Sequence, residues 1–155
     1  MPRAAKVLTI SSTAADGTRA DRSGPAVAEA LERLGFSVAL RRVVPDGIEP
    51  VATAVAEMAE RFTGLVATTG GTGFSPTDLT PEATLSVLER EARGIPELMR
   101  AASPLGPLSR GVAGTIGACL VVNLPGSPVG AVESLDAIAG LLEHALELLG
   151  GGRPH

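Results

Sequence analysis

The feature that most constrains the fold is an alternation of short apolar segments with segments of helical periodicity. Ala5–Ser12, Phe36–Val44 and Leu65–Thr69 are largely apolar runs of strand length. Each is followed by turn residues and then by apolar residues spaced three and four apart, as between Val51 and Met58. Strands that alternate with helices favour a largely parallel sheet covered on both faces. The sequence therefore predicts an α/β protein, a three-layer α/β/α sandwich with a mostly parallel central sheet.

Turn residues mark where two helices begin, and a later apolar segment predicts further strands. Ser23, with Pro25 in the first turn, predicts one N-cap, and Thr80 followed by Pro81 predicts another. Residues 112–124 read as one or two further strands, followed by a long apolar stripe that predicts the last helix.

The chain length and the length of its apolar runs limit what kind of protein this can be. At 155 residues we expect a single domain over residues 1–155. No apolar run approaches the ~20 residues of a membrane helix, and a signal-peptide core is missing, so we expect an unexported, cytoplasmic protein. The single Cys119 lies in an apolar run, which favours a core thiol over a nucleophile.

Charge and aromatic content argue against a nucleic-acid partner. The formal net charge is −4, and the chain has neither Trp nor Tyr. Nucleic-acid binders usually carry a basic stripe and often stacking aromatics. We therefore expect no nucleic-acid partner.

A glycine-rich run at the end of the third strand is the strongest functional signal. Glycines at a strand end let the backbone approach a ligand and point several N–H groups at an anion, and threonine hydroxyls add donors. The run is neither a Walker A loop nor the dinucleotide fingerprint. A tight structural turn is the alternative, but the preceding strand, the following helix and the nearby Asp78 favour a phosphate cradle. The candidate binding residues are Thr69, Gly70, Gly71, Thr72, Gly73 and Ser75.

Two aspartates predict a magnesium site beside this cradle. A bare carboxylate repels phosphate unless a hard cation lies between them, and Mg²⁺ favours one or two carboxylates plus phosphate oxygens. Asp78 follows the glycine run, and Asp46 lies in the turn after the second strand. Both follow strand ends, where open α/β sheets bind ligands. The alternative for Asp46 is an ordinary turn aspartate.

Other strand-end turns can add donors to the same rim. Ser11 follows the first strand, and the stretch from Asn123 to Ser127, which includes Pro125 and Gly126, follows the last. Each is also what a helix-entry loop needs for structural reasons.

Several motifs together resemble the MogA/MoaB family of molybdenum cofactor biosynthesis, to which a gephyrin domain is related. They are Thr69-Gly70-Gly71-Thr72-Gly73, Asp78-Leu79-Thr80-Pro81-Glu82-Ala83-Thr84, Asp21-Arg22-Ser23-Gly24-Pro25, Val44-Pro45-Asp46 and Asn123-Leu124-Pro125-Gly126-Ser127. The resemblance spans most of the chain, in the expected order.

The resemblance implies a molybdopterin-binding α/β/α domain and, for the adenylyltransferase members, a reaction. Those members transfer AMP from ATP to the terminal phosphate of molybdopterin and release pyrophosphate. Asp46 and Asp78 match the family's two aspartates associated with Mg²⁺. The resemblance also implies a homotrimer or homohexamer.

One departure and two alternatives accompany this resemblance. Some members have lysines after the Pro-Gly-Ser turn, where this chain has Pro128 and Val129. If such a lysine anchors a phosphate, this chain must use another group, for which Arg110 is a candidate, or bind more weakly. The first alternative function is a non-catalytic molybdopterin carrier or scaffold of the MoaB type. The second is another nucleotide pyrophosphatase or phosphotransferase.

Overall fold

The structure is a computed structural model that describes residues 3–152. The strands are β1 (Arg3–Ile10), β2 (Phe36–Val44), β3 (Gly64–Thr69), β4 (Arg90–Glu91), β5 (Ala113–Ile116) and β6 (Cys119–Leu124). The helices are α1 (Ser12–Ala15), α2 (Ser23–Arg33), α3 (Ile48–Ala59), α4 (Thr80–Val87), α5 (Gly94–Ala101) and α6 (Pro128–Leu149), with a 3-10 turn at Gly106–Leu108.

The strands form one mixed sheet in the order β2-β1-β3-β6-β5-β4. The first four strands in this order, β2, β1, β3 and β6, are mutually parallel, which confirms the predicted, mostly parallel α/β sheet. The segment 112–124 is two strands, because Gly117 adopts a positive φ of 56° and reverses the chain into an antiparallel hairpin. The two-residue β4, which the sequence did not predict, pairs antiparallel with β5 and is exposed on both residues.

Successive residues of the central strands pack into different layers, as the two-residue period of a strand requires. Val7 lies in a core cluster with Leu31 and Leu135, from α2 and α6, and its neighbour Leu8 lies in a second cluster with Val55 of α3. Every residue of β3 and β6 is buried. The sheet therefore has helices on both faces, which confirms the three-layer arrangement. No helix within residues 3–152 has the length and apolarity needed to cross a membrane.

Cys119 is part of this core. It is fully buried at the start of β6, and burial raises the pKa of its thiol to about 11. The thiol therefore stays protonated at neutral pH, and the prediction of a core cysteine is confirmed.

Two predicted N-caps are wrong. The N-cap positions are Arg22 for α2 and Leu79 for α4, and neither side chain makes a capping hydrogen bond. Thr80 instead uses its hydroxyl to donate to the Gly70 carbonyl at 2.9 Å. Tertiary partners compete successfully for side chains that would cap an isolated helix.

The segment after β1 begins with the short helix α1. Ser11 caps it, because its Oγ accepts the N–H of Ala14 at 3.2 Å. The helix places Ser12 against the turn that follows β2, which becomes important at the site described below.

Asn123 connects three elements in the interior. Its side chain is 1% exposed, and its amide nitrogen donates to Thr68 Oγ1 at 2.9 Å and to Thr84 Oγ1 at 3.1 Å. Its Oδ1 accepts the N–H of Val112 at 3.1 Å. The asparagine thereby links β6 to β3, α4 and the segment before β5.

Replacing this asparagine tests the connection. Asn123→Ala leaves the Val112 N–H and two buried hydroxyls without their partner, so we expect the free energy of unfolding to fall by about 2 to 4 kcal/mol. Urea denaturation measures the change. The control is Ser86→Ala, since Ser86 is exposed and bonds only within its own helix; we expect a change within about 0.5 kcal/mol. Equal effects of the two substitutions would contradict the assigned role.

Candidate active site

The candidate site lies at the edge where four parallel strands end. Ile10 of β1 is paired with Val44 of β2, and Thr69 of β3 is paired with Leu124 of β6. Because the strands end in register, the turns that follow them meet. They enclose a cleft of about 570 Å³. Its lining includes Ser11, Asp21, Asp46, Gly70, Gly71, Asp78 and Gly126.

The glycine-rich loop can form only because two of its residues lack a Cβ. Gly70 has φ +106°, and a Cβ there would lie 2.2 Å from the carbonyl oxygen of Ile10. Gly71 has φ +70°, and a Cβ there would lie 2.2 Å from Thr80 Oγ1. The N–H groups of residues 71–74 have no hydrogen-bond partner among residues 3–152. The loop therefore combines close packing with free donors that suit an anion.

Asp46 is held by α1 through one of its carboxylate oxygens. The backbone N–H and the Oγ of Ser12 donate to Asp46 Oδ2 at 3.1 and 3.0 Å. Within residues 3–152, no hydrogen bond occupies Oδ1, which faces the glycine loop: a Cβ on Gly71 would lie 3.4 Å from it. The carboxylate is thus oriented and retains one free oxygen.

Asp78 is held in the same way from the other side of the loop. The backbone N–H of Ser75 donates to Asp78 Oδ2 at 2.9 Å, and the N–H of Asp78 donates to the Ser75 carbonyl at 2.9 Å. Its Oδ1 has no hydrogen bond among the described residues. The site therefore presents two half-buried carboxylates with one free oxygen each.

This donor set fits Mg²⁺. Among residues 3–152, no three or more His, Cys, Asp or Glu side chains cluster closely enough to form a metal cage. Magnesium rarely uses such a cage, and binds instead through one or two carboxylates together with waters and substrate phosphates. Asp46 and Asp78, beside a loop with free N–H groups, supply the protein's share of that coordination.

Arg110 clamps the glycine loop rather than facing the cleft. Its Nε donates to the Gly73 carbonyl at 2.7 Å, Nη2 donates to the Asp78 carbonyl at 2.6 Å, and both Nη groups bond the Glu82 carboxylate. The hydrogen bonds from Arg110 lower the pKa of Glu82, and the same contacts raise the pKa of Arg110. Because these contacts use the donors of its guanidinium, Arg110 is not a free phosphate anchor, and that suggestion from the sequence is wrong.

Other predicted residues support the site from within the protein. Thr69 is fully buried and donates its hydroxyl to the Pro125 carbonyl at 2.7 Å. Thr72 is 4% exposed, and its carbonyl accepts the N–H of Arg110. Asn123, with both amide N–H groups bonded internally, fixes the strand end rather than facing the cleft. The Thr69 and Asn123 side chains and the Thr72 backbone position the turns.

The turn after β6 separates the cleft from a second cavity. Gly126 and Pro128 line the cleft, whereas Pro125 and Ser127 line a narrow cavity of about 80 Å³. This cavity lies between α5, the loop before β5 and α6, and its wall combines apolar and hydroxyl side chains. They include Met99, Leu105, Ser103, Ser109 and Ser134. The single turn 125–128 thus faces two spaces of different polarity.

A further network, whose partners the sequence did not identify, closes the cleft beside β1. Thr9 Oγ1 donates to Asp21 Oδ2 at 2.8 Å, and the N–H of Gly24 donates to Asp21 Oδ1 at 2.9 Å. A Cβ on Gly24 would lie 2.3 Å from Asp21 Oδ2. The sequence places Asp21 three residues before Gly24 at the start of α2, but nothing in an apolar strand singles out Thr9 as the partner of Asp21.

A parallel α/β fold with a glycine-rich loop of free N–H groups and two oriented carboxylates is typical of proteins that bind phosphates, and comparison with known proteins identifies the family. Residues 6–144 match the family described as a probable molybdopterin binding domain. The chain is 35% identical over 155 residues to the molybdopterin adenylyltransferase of Helicobacter pylori strain J99, a match that covers 94% of this chain and 86% of that protein.

A second relative and a solved structure support the same family. The chain is 35% identical over 150 residues to the molybdenum cofactor synthesis protein cinnamon of Drosophila melanogaster; the match covers 93% of this chain and only 25% of cinnamon. The fold resembles the crystal structure of the molybdopterin biosynthesis enzyme MoaB from Thermus thermophilus, with TM-score 0.91, 42% identity and coverage of 96% and 97% of the two chains. This protein belongs to the molybdopterin-binding domain family, which confirms the resemblance inferred from its motifs.

The crowding at Gly71 generates a prediction. Gly71→Ala imposes a left-handed backbone on alanine and pushes a methyl group into Thr80, whereas Gly17→Ala imposes the same strain with nothing within 4 Å. We expect the left-handed conformation to cost about 1 to 2 kcal/mol in both variants. Gly71→Ala should cost about 1 to 3 kcal/mol more from overpacking. Chemical denaturation measures both, and equal losses would show that the loop tolerates a Cβ.

The pKa of Glu82 generates a second prediction. Because its folded-state pKa is lowered, ionised Glu82 stabilises the fold at neutral pH, and this contribution disappears as pH falls through the lowered pKa. The Glu82 and Arg110 side chains are 40% and 35% exposed, so we expect Glu82→Gln to cost about 0.5 to 1 kcal/mol at pH 7 and little near about pH 3. Urea midpoints at both pH values check this, with the exposed Glu133→Gln as control. A pH-independent loss would contradict it.

Proposed function

We propose that this protein is a molybdopterin adenylyltransferase that transfers AMP from ATP to the terminal phosphate of molybdopterin in molybdenum cofactor biosynthesis. The observation that carries the proposal is the pair Asp46 and Asp78, each oriented by hydrogen bonds to one oxygen and free at the other, beside a loop with unpaired N–H groups. The similarity to a relative named molybdopterin adenylyltransferase supports the same reading.

The two cavities suit two different substrates. The polar cleft, with its carboxylates and glycine loop, suits the triphosphate of ATP. The narrow cavity, walled by Met99, Leu105 and serine hydroxyls, suits the edge of a pterin ring, and its volume of about 80 Å³ accommodates only part of one. We place the rest of the ring against the exposed Leu105 at its mouth. The terminal phosphate of the pterin would then meet ATP at Gly126 and Ser127.

The proposed reaction exchanges one phosphorus–oxygen bond for another. An oxygen of the pterin phosphate attacks the α-phosphorus of ATP, and the bond from that phosphorus to the bridging oxygen of the β-phosphate breaks. Pyrophosphate leaves and carries away the electron pair. Positioning and charge neutralisation supply most of the catalysis in reactions of this type.

This chain's residues have separate roles in that reaction. Free N–H groups of residues 71–74 hold phosphate oxygens, and Arg110 with Glu82 keeps the loop in the binding conformation. Asp46 and Asp78 would hold Mg²⁺, which when bound neutralises charge on the phosphates. Both carboxylates are already fixed by Ser12 and Ser75, so little reorganisation is needed on binding.

We further propose a single domain that works in the cytoplasm as a homotrimer or homohexamer. A free, buried cysteine suits a reducing compartment. Several apolar side chains outside the two cavities are exposed, among them Val129 at 70% and Leu108 at 54%, and suit burial between subunits.

Removing one carboxylate tests the proposed function. The assay incubates the protein with molybdopterin, Mg²⁺ and ATP labelled at the α-phosphate, and follows labelled pterin and released pyrophosphate. We expect turnover by wild type and a loss of at least about 100-fold in Asp78→Ala without unfolding. Asp78→Asn preserves the side-chain shape and should lose comparable activity. Asp136→Ala removes an exposed aspartate of α6 and should leave turnover unchanged.

The outcomes separate the candidate functions. Wild-type turnover by Asp78→Ala would refute the role of that carboxylate. Pterin binding without product would replace the transferase with a carrier or scaffold. Release of phosphate or pyrophosphate from ATP without labelled pterin would indicate a nucleotide pyrophosphatase or phosphotransferase.

A further inference from the structure

Two unpaired arginines line the polar cleft. Arg19 and Arg22 lie on the segment that joins α1 to α2, and both form part of the cleft wall. Both side chains are exposed, and neither makes a hydrogen bond or ion pair with any of residues 3–152. Arg3, Arg33, Arg42, Arg93 and Arg110, by contrast, all pair with glutamates.

The backbone beneath these arginines is fixed although their side chains are free. The N–H of Arg19 donates to the Thr13 carbonyl at 3.1 Å, and Thr18 Oγ1 donates to the same carbonyl at 3.2 Å. Arg22 follows Asp21, whose two carboxylate oxygens bond Thr9 and Gly24. The backbone at these positions is therefore fixed, while both guanidinium groups lack an ion-pair partner among residues 3–152.

The charges of the cleft point to the kind of ligand these cations bind. Asp46 and Asp78 place two free carboxylate oxygens at one end, which suits Mg²⁺, and Asp21 is already bonded internally. A polyphosphate carries more negative charge than one Mg²⁺ neutralises, and guanidinium groups bind the remaining phosphate oxygens well. Arg100, which borders the narrow cavity instead, donates to the Gly111 carbonyl.

We propose that Arg19 and Arg22 anchor the β- and γ-phosphates of ATP and the pyrophosphate that leaves. This proposal rests on the proposed function, and it assigns the two arginines to the leaving-group side of the reaction. The pterin phosphate is assigned to the turn 125–128 instead. They act by electrostatic positioning and supply no proton, because an arginine stays protonated at all working pH values.

The test measures binding of three probes to the full chain in the presence of Mg²⁺: ATP, inorganic pyrophosphate and AMP. We expect Arg19→Ala and Arg22→Ala each to weaken ATP and pyrophosphate binding by about tenfold. We expect the double variant to lose about 100-fold and AMP binding to change little. Arg41→Ala, which removes an exposed arginine of β2 outside the cleft, is the matched control and should change nothing.

The results distinguish failure of this proposal from failure of the proposed function. Unchanged pyrophosphate affinity in the double variant, or no pyrophosphate binding by wild type, would overturn the assignment of the arginines. An equal loss for AMP and ATP would also overturn it, since the effect would then not follow the polyphosphate. Weakened pyrophosphate binding in the double variant, with no labelled pterin formed by wild type, would uphold the arginines and reject the transferase. Thermal unfolding of each variant confirms that the fold is retained.

Discussion

The site depends on the close approach of the Gly70 backbone to the end of β1. Gly70 lies against the Ile10 carbonyl while its own N–H donates to the Leu124 carbonyl at 3.2 Å, so one residue fits between the ends of β1 and β6, the two strands that flank β3. Thr80 then fixes the Gly70 carbonyl from α4. Any side chain at this position would force the loop outward, and the turns after β1, β3 and β6 would no longer meet.

Near the Gly70 contact, some residues hold the loop in place and others face the cleft. Thr69, Asn123 and Arg110 make interior bonds and leave few donors for a substrate. Asp46 and Asp78 do both, because each uses one oxygen for the protein and keeps one free. An oriented carboxylate loses little conformational entropy on binding a cation, which is the physical basis of a preorganised metal site.

The turn 125–128 lies between the proposed binding sites of the two substrates. It closes the polar cleft on one side and the narrow, partly apolar cavity on the other, so a group lying over it can reach both. Its position depends on Thr69, which donates to the Pro125 carbonyl, and on Ser127, whose Oγ caps α6 by accepting the Gly130 N–H. A reaction between two bound phosphates requires this kind of shared, rigid boundary.

Much of this architecture was readable from local signals. The bounds of β2 follow from its apolar run, and the glycine loop follows from three glycines after a buried strand. The position of Asp46 and Asp78 at the cleft follows from their place after strand ends. The wrong N-cap at Thr80 and the wrong role for Arg110 have one cause. Local sequence does not reveal which distant group will compete for a side chain, and in both cases tertiary structure decided it.

The sequence by itself determined the layer order, the family and the position of the glycine-rich loop, because hydrophobic periodicity and glycine placement act over short distances along the chain. Only the tertiary structure decided which charged side chains remain without a hydrogen-bond or ion-pair partner among residues 3–152. Arg110 is saturated by Gly73, Asp78 and Glu82, whereas Arg19 and Arg22 face the cleft without a partner among residues 3–152. Pairing of charges depends on distances between residues far apart in sequence, and those distances exist only once the sheet has brought its strand ends together.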